Sequence, residues 1–177
     1  GRALRGRRDQ AIIATKVSGA GLNRRAMRKA CEVSLYRLET EVIDLYQIHW
    51  PNWKIPIDKT LASLESLKSE GKIRAYGVSN FGKRDLTGLL SKGSIDSNQL
   101  PYSLLWRPIE DEVQPLCVEN SISILCYSPL CQGLLTGKFR SLDQVPEGRA
   151  RTRLFSNDRL QARHSEPGCE AETLEAL

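Results

Sequence analysis

The 177-residue sequence predicts an α/β fold built on a parallel sheet, and three observations carry that prediction. Short β-branched apolar runs recur at 11–15, 42–48, 73–78, 95–100 and 122–126, with starts 31, 31, 22 and 27 residues apart. Each gap between runs holds a helical pattern, and parallel neighbours require a long crossover, so this spacing means βαβ units with both sheet faces covered. A composition of 40% hydrophobic and 27% charged residues supplies a core and excludes compositional disorder.

The elements follow in order. After Ala11-Ile12-Ile13-Ala14-Thr15, Asn23 stands as the N-cap of a helix on which Met27, Cys31, Leu35 and Leu38 form one stripe. Arg24, Arg25, Arg28 and Lys29 take the opposite face. The second run leads to a helix that Asp58 can cap, with Leu61, Leu64 and Leu67 aligned and Gly71 as its stop. The third leads to a helix carrying Leu86, Leu89 and Leu90 and ending at Gly93. Behind the weaker fourth run, Glu110-Asp111-Glu112 set acids at the positive end of a helix that buries Val113, Leu116 and Cys117 before Asn120. The fifth run closes the regular part. From about 140 to 168 the periodicity stops in an Arg-rich stretch with Pro146, Gly148, Pro167 and Gly168, which reads as a long basic loop.

Two parallel-sheet architectures compete. A doubly wound dinucleotide-binding sheet needs G-x-G-x-x-G after its first strand. Here Gly19 and Gly21 are in place, but Arg24 occupies the third glycine position, and the next strand runs into His49-Trp50-Pro51 rather than a ribose-binding acid. The fingerprint fails. A (β/α)8 TIM barrel takes about 250 residues, roughly 31 per unit. By that measure 1–177 form one incomplete barrel domain of about five βα units. The chain begins at Gly1 rather than Met, and 171–177 read as the start of a further helix, so both ends are expected to be cut.

The net charge of +5 is spread along the chain. Arg24, Arg25, Arg28 and Lys29 lack interleaved exposed aromatics, so nucleic acid is not an expected partner. Five cysteines without a C-x-x-C pair read as buried thiols of a reducing compartment. No apolar run approaches the roughly 18 residues needed to cross a bilayer. No membrane partner and a cytoplasmic location are expected; the oligomeric state is not legible.

In a parallel barrel the chemistry sits where strands finish. Those positions are polar throughout: Lys16, His49, Ser79-Asn80, Gln99 and Tyr127-Ser128. Each has a structural alternative. Lys16 can reach out to solvent, Ser79-Asn80 can cap the following helix, and Tyr127 can pack in the core. Five strands delivering such groups to one rim favour function over five independent accidents. Trp50 and Trp53 either line a pocket entrance or pack on the neighbouring loop.

Four stretches then resemble the aldo-keto reductase superfamily. They are Ala14-Thr15-Lys16-Val17; 43–51, reading IDLYQIHWP; 71–81, reading GKIRAYGVSNF; and 127–138, reading YSPLCQGLLTGK. The resemblance implies a TIM barrel that reduces aldehydes or ketones with NADPH, acting on a small-molecule carbonyl substrate. It gives Lys16 and His49 catalytic roles, and it gives Ser79, Asn80 and Gln99 the nicotinamide carboxamide. Tyr127 matches the ring stacked on the nicotinamide. Ser128, Leu130, Gly133 and Lys138 match the loop around the pyrophosphate and adenosine phosphate, and Arg149 or Arg151 joins that site. The family's catalytic aspartate and tyrosine belong before the first strand, and 1–10 resemble only the end of the preceding helix. No metal is expected. A chain without that tyrosine is expected to be inactive alone, and the alternatives are an inactive NADPH-binding regulatory protein or a non-functional truncated chain. Independently, hydride transfer builds negative charge on the carbonyl oxygen, which suits a lysine and a histidine at one rim.

Overall fold

A computed structural model describes residues 1–18 and 22–150. Gly19, Gly21, Arg151, Arg153, Arg159, Arg163, His164, Pro167, Gly168, Cys169 and the helix read at 171–177 lie outside the described residues.

Five strands alternate with helices: β1 (Ala14–Val17), α1 (Arg24–Leu38), β2 (Ile43–Ile48), α2 (Ile57–Ser69), β3 (Ile73–Ser79), α3 (Lys83–Leu90), β4 (Ser97–Pro101), α4 (Val113–Glu119) and β5 (Ser123–Tyr127). A one-turn helix α5 (Glu147–Ala150) follows. The strands lie in chain order in one sheet, and β1 to β4 pair in parallel. This is the predicted architecture, an α/β sheet matching an incomplete barrel. The described chain falls into two compact units, 1–100 with 109–125, and 101–108 with 126–150.

The register fixes which side chains share a face. Lys16 pairs with Gln47, Gln47 with Gly77, and Gly77 with Ser97. Side chains alternate along a strand, so Lys16, Gln47, Ser79, Ser97 and Gln99 occupy one face and Val17, Tyr46, Ile48, Tyr76, Val78 and Leu100 the other. The second set is buried beneath the helices, together with Met27 and Cys31 of α1 and Leu61, Leu64 and Leu67 of α2. On that side the Tyr76 hydroxyl donates to Glu65 of α2, and the Lys68 ammonium lies 5.4 Å from the centre of the Tyr76 ring. Gly77 has a steric reason to be glycine: a Cβ there would collide with Ser97 Oγ and stand 2.5 Å from Ser97 O. At this pair β3 and β4 leave no room for a second side chain beside that of Ser97.

Several boundaries differ from the sequence reading. Residues 11–13 precede β1 rather than form it, because side chains hold them: the Asp44 carboxylate accepts from Ile13 N at 2.9 Å, and the Arg8 guanidinium donates to Ala11 O at 2.7 Å. Ile12 is consequently 87% exposed. Helix α2 is capped by extended Pro56, whose carbonyl accepts from Lys59 and Thr60, and Asp58 lies inside the first turn. Helix α3 starts behind Gly82, so Ser79 and Asn80 do not cap it; the Asn80 N–H instead donates to Gln99 O at 2.9 Å in the sheet. The acids 110–112 form the turn before α4, with Glu112 at the cap. Residues 1–10 make two 3-10 turns rather than a helix end. Within the stretch read as a loop, a 3-10 turn at Leu142–Gln144 and α5 are ordered around Pro146, whose carbonyl accepts from Arg149 N at 2.7 Å.

The Asn23 cap is as expected, with its side chain accepting from Ala26 N at 2.9 Å. Cys31, Cys117 and Cys131 are buried free thiols, and burial pushes Cys31 up to about 11. Cys126 corrects the expectation, since it is exposed near the end of β5.

Candidate active site

The first unit carries the strand-end residues. Lys16 is the penultimate residue of β1, half-buried, with Val17 closing the strand. His49 lies just past β2 and extends its ladder, its N–H donating to Val17 O at 2.9 Å. Two positions beyond Gln47, it continues the alternation of the Lys16 face at the same strand end. Its ring is exposed and stacks on Trp50, with centroids 6.0 Å apart and planes 24° apart. Ser79 ends β3, is buried, and donates to Gln99 O at 2.9 Å. Gln99 sits mid-strand in β4 rather than at its end. Asn80 takes a left-handed backbone, φ +63, and its side-chain amide donates to His49 O at 3.0 Å and Ser79 Oγ at 3.1 Å.

Trp50 and Trp53 have different surroundings. Trp53 lines a cavity of about 280 Å³ with Pro51, Ile55, Phe81, Arg84 and Leu89, and its indole N–H donates to Asp85 at 2.6 Å. Trp50 belongs to the histidine instead.

The sequence reading passed over two groups on this unit. Gln47 is fully buried beside Lys16 in the register, donating to Val78 O at 3.3 Å. Its Oε1 and Ser97 Oγ, in the same row, have no hydrogen-bond partner among the described residues. A polar residue inside the apolar run 42–48 was the available signal. At the opposite strand end, Asp44 is 10% exposed and receives Arg8 and Arg74, each at 2.6 Å, besides Ile13 N. Burial pushes its carboxyl up, but the Ile13 N–H, Arg8 and Arg74 outweigh this and hold it below the usual carboxylate range.

The second unit carries the loop after β5. Tyr127 ends β5, half-buried, and its carbonyl accepts from Tyr102 N at 3.3 Å. Backbone with positive φ then recurs at Ser128 (+54), Cys131 (+47), Gln132 (+55) and Gly133 (+105). The loop is anchored underneath by Cys131, Leu134, Phe139 and Val145, while Leu130 is 56% exposed. Over Gly133 two cations converge. A Cβ at that position would lie 2.8 Å from Lys138 Cε, 3.2 Å from Lys138 Nζ and 3.5 Å from Arg149 Nη1. Arg149 donates to Gln132 O at 3.1 Å, and the Lys138 ammonium lies 4.8 Å from the Phe139 ring centre. A tight glycine turn with an ammonium and a guanidinium drawn together above it suits a phosphate group.

Among the described residues, no cluster of His, Cys, Asp and Glu could hold a metal ion, and no helix is long and apolar enough to cross a membrane.

Successive parallel βα units with polar strand ends define an α/β enzyme scaffold of the barrel class. The comparisons with known proteins agree in detail. The profile of the aldo/keto reductase family matches residues 1–174, and the chain belongs to that family. It is 41% identical over 148 residues to aldo-keto reductase YhdN of Bacillus subtilis, covering 78% of this chain and 45% of that protein. It is 44% identical over 130 residues to the NADH-specific methylglyoxal reductase of Escherichia coli, covering 72% and 40%. The chain thus spans less than half the length of both relatives. Among solved structures, the glycerol dehydrogenase AKR11B4 of Gluconobacter oxydans superposes with a TM-score of 0.81 at 35% identity, over 99% of this chain and 55% of that one. An aldo-keto reductase of Klebsiella pneumoniae in complex with NADPH gives 0.72 at 38% identity, over 75% and 47%.

Proposed function

We propose that 1–177 form part of one barrel domain of a cytoplasmic enzyme that reduces small aldehydes or ketones to alcohols with NADPH. The supporting observation is the register, which puts Lys16 and, through Gln47, His49 on one face and at one end of the sheet, beside Ser79 and Gln99. A reduced nicotinamide supplies a hydride to the carbonyl carbon, and the carbonyl oxygen accumulates the charge.

In this reading the His49 imidazole donates a hydrogen bond to that oxygen, and the Lys16 ammonium lowers the energy of the developing anion and of the anionic form that a proton donor beside it becomes. The carboxamide is assigned to Ser79, Asn80 and Gln99, and the nicotinamide ring to a stack on Tyr127. Ser128, Leu130 and Gly133 are assigned to the pyrophosphate. Lys138 and Arg149 would neutralise the adenosine phosphate, which favours NADPH over NADH. The cation pair over Gly133 fits such a group, because the absent side chain is what leaves room for both. Lys16 and His49 are two of the four catalytic groups the resemblance implies.

Titration of the purified chain with NADPH and separately with NADH, followed by tryptophan fluorescence, tests the cofactor site. Saturable quenching, tighter for NADPH, is the expected result; its absence for both nucleotides removes the proposal. Oxidation of NADPH with an aldehyde panel, measured on the longest expressible form of the protein, tests turnover. Tight NADPH binding without turnover selects the regulatory alternative.

A further inference from the structure

We propose that Asn80 is a positioning residue for His49, tied to the end of β2 through its side chain and to β4 through its backbone. Successive residues of a strand turn their N–H and C=O groups toward opposite neighbours. His49 gives its N–H to Val17 O on β1, and Asn80 gives its N–H to Gln99 O on β4 at 2.9 Å, so no backbone hydrogen bond of the regular ladder joins these two residues. The Asn80 side chain supplies the link: its amide donates to His49 O at 3.0 Å, and its second hydrogen-bond contact, 3.1 Å, goes to Ser79 Oγ, which itself donates to Gln99 O at 2.9 Å.

One residue thereby serves β2 with its side chain and β4 with its backbone. The backbone explains why asparagine can do this. At φ +63 the chain leaves the extended conformation, and asparagine is among the few residues other than glycine that adopt this region routinely. Aspartate tolerates the same backbone but, ionised, has no N–H to donate. Glycine tolerates it and has no side chain at all. The His49 ring is exposed and touches the Trp50 ring, so little besides the backbone holds its base. Fixing the His49 carbonyl fixes the Cα from which the imidazole projects.

The catalytic consequence rests on the proposed reductase reading, but the tether itself is readable without cofactor. The sequence holds two histidines, His49 and His164, so replacing His164 by glutamine leaves one imidazole signal in a 13C-histidine-labelled chain. The expected result, without nucleotide, is a shifted and broadened His49 Cε1–H resonance in both Asn80→Gly and Asn80→Asp. Gln99→Ala, which loses a proposed carboxamide contact but leaves the tether, should keep the original signal. Far-UV circular dichroism and urea unfolding establish that each variant is folded. An unchanged His49 signal in folded Asn80→Gly overturns the proposal, and so does an equal change in Gln99→Ala.

In an active, longer form of the protein, Asn80→Gly should lower kcat roughly 10- to 100-fold, as expected for displacing a reacting group by about an ångström, with KM for the aldehyde little altered. A rise in KM with kcat intact also counts against the positioning role. If no variant and no parent binds NADPH, the reductase reading fails while the resonance still decides the tether.

Discussion

The strand-end residues of the first unit and the loop after β5 are built on opposite principles. Lys16, His49, Ser79 and Gln99 inherit their places from a register set by buried neighbours such as Ile48 and Val78. Geometry there is a by-product of core packing. Residues 128–133 owe their shape to a run of positive φ values over four apolar anchors, and Lys138 and Arg149 are exposed. The first arrangement can fix a reacting atom, whereas the second can gather charge around a nucleotide without being part of the main core. Substitutions in the two regions should therefore fail in different ways.

The largest effect is expected at Gly77. Gly77→Ala drives a Cβ into Ser97, both its hydroxyl and its backbone, and should cost on the order of 3 kcal/mol, read as a lower urea midpoint. A substitution there that left the midpoint intact and weakened only NADPH binding would erase the distinction between the regions.

Next comes Asp44→Asn, which leaves Arg8 and Arg74 without their carboxylate and should cost about 2–3 kcal/mol at pH 7. The sign with pH follows from the lowered carboxyl. A group held below its unfolded value contributes fully above that value, about 3.9, and loses the contribution as pH falls through the folded one. Urea midpoints of parent and variant should converge on acidification below pH 4; a gap that persists there contradicts the assignment.

Smaller again is Lys138→Ala. Affinity for NADPH should drop about tenfold, near 1.4 kcal/mol, with NADH affected much less and the melting temperature unchanged. Equal losses for the two nucleotides would detach Lys138 from the adenosine phosphate. Arg149→Ala, tested beside it, sharpens the result: additive losses mean two independent contacts, and a shared loss means one coupled pair over Gly133.

How much of this was legible in the sequence depended on whether local pattern or a distant partner decided the conformation. Alternating β-branched runs and leucine stripes carried the βα order, because the pleat and the helical period impose them wherever a face is buried. The Asn23 cap was legible for the same reason, being settled within one turn. Residues 11–13 were not. They are as apolar as a strand, and what keeps them out of β1 is an acid 31 residues later. Asp58 lost the cap to Pro56, whose extended backbone carries no side-chain signal. At the site, the polar strand ends exposed Lys16, His49 and Ser79, while the tether from Asn80 to His49 depends on a φ that no spacing predicts. Gln47 was visible all along as a polar residue in an apolar run, but its partner is a backbone carbonyl on the next strand.

The contact between Gly77 and Ser97 also bears on the wall above it. At that pair β3 and β4 share a single hydroxymethyl group, two residues below Ser79 and Gln99. The depth available beneath those residues is therefore governed by a position that contributes no side chain. A larger residue there would raise the floor of any cavity on that face before it altered a single group on the rim.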